Sequence, residues 1–251
     1  MSEVAGLDEA VLYSLLSPGK RIRPRLCLAA ARCAGADPRD ALPAAAAIEM
    51  VHAFSLVHDD LPALDDDVER RGRATSHVRY GEAVAVLVGD ALLNAAYRHV
   101  SEHLRASAEV RLAVIAELAG GVAGMIDGQY LDVTAVTPPT HEQLVALHGL
   151  KTGALISASV ACGLHVAGVD DAGQAPYRSF AGELGLLFQI VDDVLDEGSA
   201  SEPSYVNTLG LERARELAVE SHLRTTALLS AIDGDTAELA ELTDLVGHRT
   251  V

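Results

Sequence analysis

Residues 42–60 read LPAAAAIEMVHAFSLVHDD, and this stretch decides the fold class. From Leu42 to His58 it is apolar on nearly every side, and a helix apolar all round belongs inside a core rather than on a surface. Alanine is the strongest helix former, so the Ala44–Ala47 run favours a helix over a strand. The helix ends in Asp59-Asp60, which places acids at the rim of a hydrophobic core.

Working outward, 26–34 reads as an apolar helix stopped by Gly35, Asp37 and Pro38. Further helices are predicted over 82–104, 110–132, 141–164, 175–195 and 209–230, with a shorter one over 233–247. Gly72, Gly81, Pro138-Pro139 and Gly168 punctuate the joints. No alternating run demands a strand, and there is neither an internal repeat nor a linker. The expectation is an all-α protein in a single domain spanning 1–251.

Composition agrees. The 251 residues are 49% hydrophobic, with no tryptophan and 4% aromatics, a balance that favours helices over sheet. No apolar run is expected to cross a bilayer, so no transmembrane segment is predicted. A formal charge of −17 repels polyphosphate backbones and argues against nucleic acid as a partner. A chain this acidic needs clustered cations to handle an anionic substrate, which makes its few basic residues informative. Cys27, Cys33 and Cys162 are odd in number, lack metal-site spacing and follow no leader-like segment; reduced thiols in a cytoplasmic protein are expected.

Two acid clusters stand apart: Asp59-Asp60…Asp65-Asp66-Asp67, and Asp192-Asp193…Asp196. Each follows a strongly apolar helical stretch. On a helix Asp192 and Asp196 lie about 40° apart, a mutually repelling pair whose sign a divalent cation would reverse. Magnesium suits such a site, since it combines one or two carboxylates with water and substrate phosphates. Asp59 and Asp65 would diverge by about 120° on an ideal helix. Pro62 ends or kinks the helix between them, so Asp65 is expected to swing back as the second ligand. One such run is usually a solvated face. Two, both ending apolar helices, are not.

The cations concentrate at Lys20-Arg21-Ile22-Arg23, at Arg70-Arg71, and at Lys151-Thr152 in an otherwise uncharged stretch. Arginine pairs with phosphate bidentately, whereas lysine acts as a compact point charge. His52 shares the apolar helix with Asp59. A solitary buried histidine is more often a hydrogen-bonded core residue than a catalytic one, but its place in the motif shifts that balance.

With these residues in place the chain resembles the trans-isoprenyl diphosphate synthases, the farnesyl and geranylgeranyl diphosphate synthase group. The resemblance runs from Leu15 to the C-terminus and includes GKRIRPRL (19–26), IEMVHAFSLVHDDLPALDDDVERRG (48–72) and GEAVAVLVGDALL (81–93). It continues through GMIDGQYLDV (124–133), KTGALI (151–156) and FQIVDDVLD (188–196). It implies a helical bundle around a central apolar cavity, a homodimer, and condensation of isopentenyl diphosphate with an allylic diphosphate. It further implies Asp59, Asp65 and Asp192 as magnesium ligands, three ions with substrate bound, and Asp60, Asp193 and Asp196 nearby, partly through water. Lys20, Arg23, His52 and Arg71 match the positions that hold isopentenyl diphosphate. Arg70, Lys151, Thr152 and Gln189 match those around the allylic diphosphate, with Lys151 counted in the catalytic set. Phe54, five residues before Asp59, stands where a bulky side chain helps form the pocket floor and favours a fifteen-carbon product. Small Ser55 beside it keeps twenty carbons open.

The chain departs from the pattern after Asp196, where a glycine- and lysine-rich loop is expected and Glu197–Glu202 runs straight into Pro203-Ser204-Tyr205. Either the loop is deleted, weakening the hold on the allylic diphosphate, or residues were left out of the recorded sequence. The clean resumption favours an omission, which an intact mass matching these 251 residues would overturn. Three rival readings are a terpene cyclase, a metal phosphohydrolase around His58-Asp59, and a non-catalytic subunit of a heteromeric synthase. The cyclase has no need for Lys20, Arg23 and His52; the other two leave an intact second acid cluster without a role.

Overall fold

The computed structural model of the chain describes residues 5–134, 139–195 and 203–248. The described residues are predominantly helical, as the composition favours: α1 Ala5–Leu15, α2 Ile22–Cys33, α3 Leu42–Asp59, α4 Ser76–Tyr80, α5 Glu82–His103 and α6 Ala108–Thr134. These are followed by α7 His141–His148, a π-helical turn Gly149–Gly153, α8 Ala154–Val166, α9 Asp171–Leu195, α10 Tyr205–Leu209, α11 Leu211–Leu228 and α12 Ala237–Gly247. One hairpin of two-residue strands, β1 Glu69–Arg70 and β2 Arg73–Ala74, breaks the all-helical pattern. Its turn, Arg71-Gly72, has both residues at positive φ (55° and 75°), the geometry that matches the twist of a two-residue hairpin.

Two apolar cores form. One joins α3, α5 and α6 around Ile48, Val51, Val88, Leu92 and Leu118. The other joins α2, α8, α9, α11 and α12 around Leu26, Ile156, Phe180, Leu184 and Leu242. α8 touches both, through Leu155, Ala158 and Cys162 on one side and Ile156 and Val160 on the other. His141–Val166 is long and apolar enough to span a membrane by length and composition alone. In the fold it is the central core element, with 61% of its apolar window buried. Thr140 starts it with a capping box: its Oγ1 accepts from the Gln143 N–H at 3.2 Å and its own N–H donates to Gln143 Oε1 at 2.9 Å.

The π-helical turn interrupts what the sequence suggests is one continuous helix, and its neighbours are shaped to admit it. On α6, a Cβ at Gly128 would overlap the backbone of Lys151. On α9, a Cβ at Gly185 would lie 2.8 Å from the Gly153 Cα. Two glycines from opposite sides thus let α6 and α9 close on the turn. Cys27, Cys33 and Cys162 are buried and free, matching the reduced thiols expected.

Candidate active site

The first acid cluster folds as the proline implies. α3 stops at Asp59, and the following chain turns back on itself: the Leu64 N–H donates to Leu61 O at 2.9 Å and the Asp65 N–H to Asp59 O at 2.9 Å. Asp65 therefore returns over the helix end instead of diverging. Burial, opposed by Lys151 and reinforced by Asp65, pushes the Asp59 carboxyl up to about 6. Asp65 is raised by burial as well, and feels Asp67 and Asp132. Asp60 points elsewhere: buried, it accepts from Arg70 Nε at 2.5 Å, while Arg70 Nη2 donates to Asp67 Oδ2 at 2.7 Å.

Lys151 and Thr152 project from the π-helical turn, a distortion that recurs at functional sites. Lys151 Nζ donates to Asp132 Oδ2 at 2.5 Å, and Asp132, Asp59 and Asp65 together hold the ammonium charged against its burial. Thr152 Oγ1 donates to Gln189 Oε1 at 2.8 Å, and Gln189 Nε2 to Asp193 Oδ1 at 2.7 Å. The Tyr205 N–H closes the chain on Asp193 Oδ2 at 2.7 Å. Lys151 thus faces the first acid cluster while Thr152 is tied to the second. Asp193 is buried in this network beside His148, which burial pushes down to about 4 and which stacks on Tyr205 with ring centroids 5.4 Å apart. Asp192 is half-buried on the same helix; Asp196 and the segment that follows it, through Glu202, lie outside the described residues.

A cleft of about 230 Å³ brings together Lys20, Arg23, His52 and Arg71 with Glu49 and Phe188. These are the four residues matched to isopentenyl diphosphate. Arg23 lies over the Phe188 ring at 5.4 Å, and Arg71 Nη1 donates to Pro18 O at 2.8 Å. Burial and the surrounding guanidinium groups hold His52 neutral, well below the usual imidazole range. His52 and Asp59 are seven residues apart on α3, hence about 20° apart on one face and roughly 10.5 Å along it. The hairpin sorts its two arginines accordingly, Arg70 to the carboxylates and Arg71 to the basic cleft.

Beyond Asp59 and Lys151 opens a mainly apolar pocket of about 360 Å³, walled by Phe54, Ser55, Leu64, Met125, Ile126 and Val133. Phe54 meets His58 edge-on at 5.1 Å, and Ser55 Oγ donates to His52 O at 3.0 Å. The pocket has a charged mouth and a greasy body.

Sequence reasoning missed Asp132, although it lies inside the quoted GMIDGQYLDV stretch. The usable signal was Lys151 itself: a lysine this buried requires a carboxylate partner. His148 and Tyr205 were missed for a different reason, since their role is to surround Asp193.

The donor set fits magnesium. Asp59, Asp65 and Asp132 converge on one ammonium, an excess of negative charge carried by hard oxygens, with Asp59 disfavoured as a bare anion. An acidic pocket mouth thus stands next to a basic cleft, an arrangement suited to a helical, metal-assisted diphosphate enzyme. The profile of the Polyprenyl synthetase family matches residues 4–204. A chloroplastic geranylgeranyl pyrophosphate synthase of Capsicum annuum is 40% identical over 97% of this chain and 71% of its own length. One of the same name from Catharanthus roseus is 38% identical, covering 97% and 74%. A geranyltransferase from Helicobacter pylori, solved with magnesium and isoprenyl diphosphate, superposes with a TM-score of 0.89 at 32% identity, covering 98% of this chain and 88% of that one. The chain belongs to the polyprenyl synthetase family and is a prenyltransferase. The cyclase, phosphohydrolase and non-catalytic readings fall away.

Proposed function

We propose that this protein condenses isopentenyl diphosphate with allylic diphosphates to give geranylgeranyl diphosphate. The observation that carries the reading is the placement of a basic cleft (Lys20, Arg23 and Arg71 around a neutral His52) beside an acid-headed apolar pocket along α3. The fifteen-carbon product expected from Phe54 is less well supported than the twenty-carbon alternative, because the plant relatives named above bear the geranylgeranyl name. Ser55 opens beside Phe54 on the same pocket wall.

In this reading Lys20, Arg23 and Arg71 clamp the diphosphate of the second substrate, and neutral His52 donates a hydrogen bond to it. Lys151, Thr152 and Gln189 surround the allylic diphosphate. Arg70, expected there too, serves through Asp60 and Asp67 to hold the acidic loop in place. Asp59 and Asp65 face Asp192 as the carboxylates for three magnesium ions, with Asp60 and Asp193 behind them. Bound magnesium would supply charge neutralisation for the departing diphosphate. The allylic C–O bond ionises, the double bond of the second substrate attacks the cation, and a proton passes to the released diphosphate. The apolar walls exclude the water that would quench the cation.

A homodimer completes the reading. Val86 and Leu87 on α5 and Ile126, Tyr130 and Val133 on α6 are exposed, and Ile126, Tyr130 and Val133 also line the pocket, so a second copy packed there would close its open side. Cytoplasmic residence rests on the free thiols alone. Incubation with magnesium, isopentenyl diphosphate and each allylic starter tests the product: a twenty-carbon diphosphate is expected, and a fifteen-carbon end product would return the reading to Phe54.

A further inference from the structure

Away from the active site, α11 and α12 meet at a cluster of His222, Asp244 and His248. A ligand nitrogen from each imidazole and a carboxylate oxygen of Asp244 all lie within 4.8 Å of one another. We propose that these three residues bind a divalent transition-metal ion of the zinc type, pinning the last helix to α11.

The geometry is that of neighbouring ligands. His222 Nε2 and Asp244 Oδ1 are 2.9 Å apart. With zinc bonds of about 2.0–2.2 Å, that separation subtends roughly 90° at the metal, within reach of four- to six-coordinate geometry. His248 Nδ1 lies 2.9 Å from the Asp244 backbone carbonyl; donating a proton there leaves the lone pair on Nε2, the kind of outer hydrogen bond that orients a histidine ligand. The two rings stand edge to face with centroids 5.4 Å apart. Gly247 makes the approach possible, because a Cβ there would overlap the His222 ring. His222 is 24% exposed and Asp244 59%, so an ion can enter without unfolding the junction.

Two nitrogens and one carboxylate favour zinc, nickel or copper over magnesium, which sets this site apart chemically from the carboxylates of the active site. The simpler reading is a hydrogen-bonded staple with no ion. Zinc titrated calorimetrically into the full chain, with magnesium in large excess, separates the two. Wild type is expected to bind one more equivalent than either His222→Ala or His248→Ala, and zinc is expected to raise the wild-type melting temperature but not theirs. Cobalt bound in place of zinc should give visible absorption bands in wild type only. His248→Ala removes an exposed side chain just past α12, away from the active site, so its fold and its magnesium-supported activity should match wild type. Equal zinc stoichiometry in all three proteins, or a loss in only one variant, overturns the site.

Discussion

Asp59, the proposed metal ligand, weakens the fold that carries it. Its carboxyl, raised to about 6 by burial, favours the protonated form in the folded state. The contribution to stability is therefore fully present below about pH 4 and lost as pH rises through 6. At pH 7 the metal-free protein carries a largely buried charge that Lys151 and Arg70 offset only in part. Asp59→Asn should raise its melting temperature by a few degrees in calorimetry while lowering kcat on the order of 10²–10³-fold, the scale seen when one transition-state electrostatic contact is removed. An unchanged kcat would remove Asp59 from the site. His52 was legible only through its motif; its neutrality was not, because that depends on arginines brought in from α2 and the hairpin. Asp60 shows the opposite limit. It is adjacent to Asp59 in sequence, yet it serves Arg70 instead, since consecutive helical positions face about 100° apart.

At the scale of elements, helix positions were legible because apolar periodicity and glycine punctuation act locally. The π-helical turn was not, since nothing in GLKTG differs from an ordinary helix; it is imposed by α6 and α9 closing from either side. Gly128→Ala tests this: overpacking against the Lys151 backbone should cost about 1–3 kcal/mol by chemical denaturation and displace the ammonium, so kcat should fall as well. The hairpin was missed because two-residue strands leave no alternating pattern. Glu117 ties three helices together, accepting from Arg178 Nη2 on α9 at 2.5 Å and lying 3.3 Å from His165 Nε2 on α8. These partners hold its carboxyl down to about 2. A depressed acid stabilises above its unfolded value and loses that contribution as pH falls toward the folded one. The melting-temperature gap between wild type and Glu117→Gln should therefore be widest near neutral pH and narrow steadily below about 4.5. A pH-independent gap would mean the contact is packing alone.

For the whole molecule, the all-helical architecture and the apolar cavity were legible from composition and motif order, while the division into two cores bridged by α8 was not. Surface area depends on what meets what, and a single chain's sequence does not state it. The proposed dimer belongs to this scale: Tyr130→Glu, on the exposed face of α6, should shift light-scattering mass from dimer to monomer and leave helical content unchanged. A wild-type monomer at micromolar concentration would dismiss the second copy. The left-handed Arg71-Gly72 turn has a reach beyond its size. Consecutive side chains of one tight bend serve opposite basins, one stabilising the acidic loop and the other lining the cationic cleft. The two anchorages are geared to a common pivot, and any change that loosens the bend disturbs the acidic loop and the basic cleft at once.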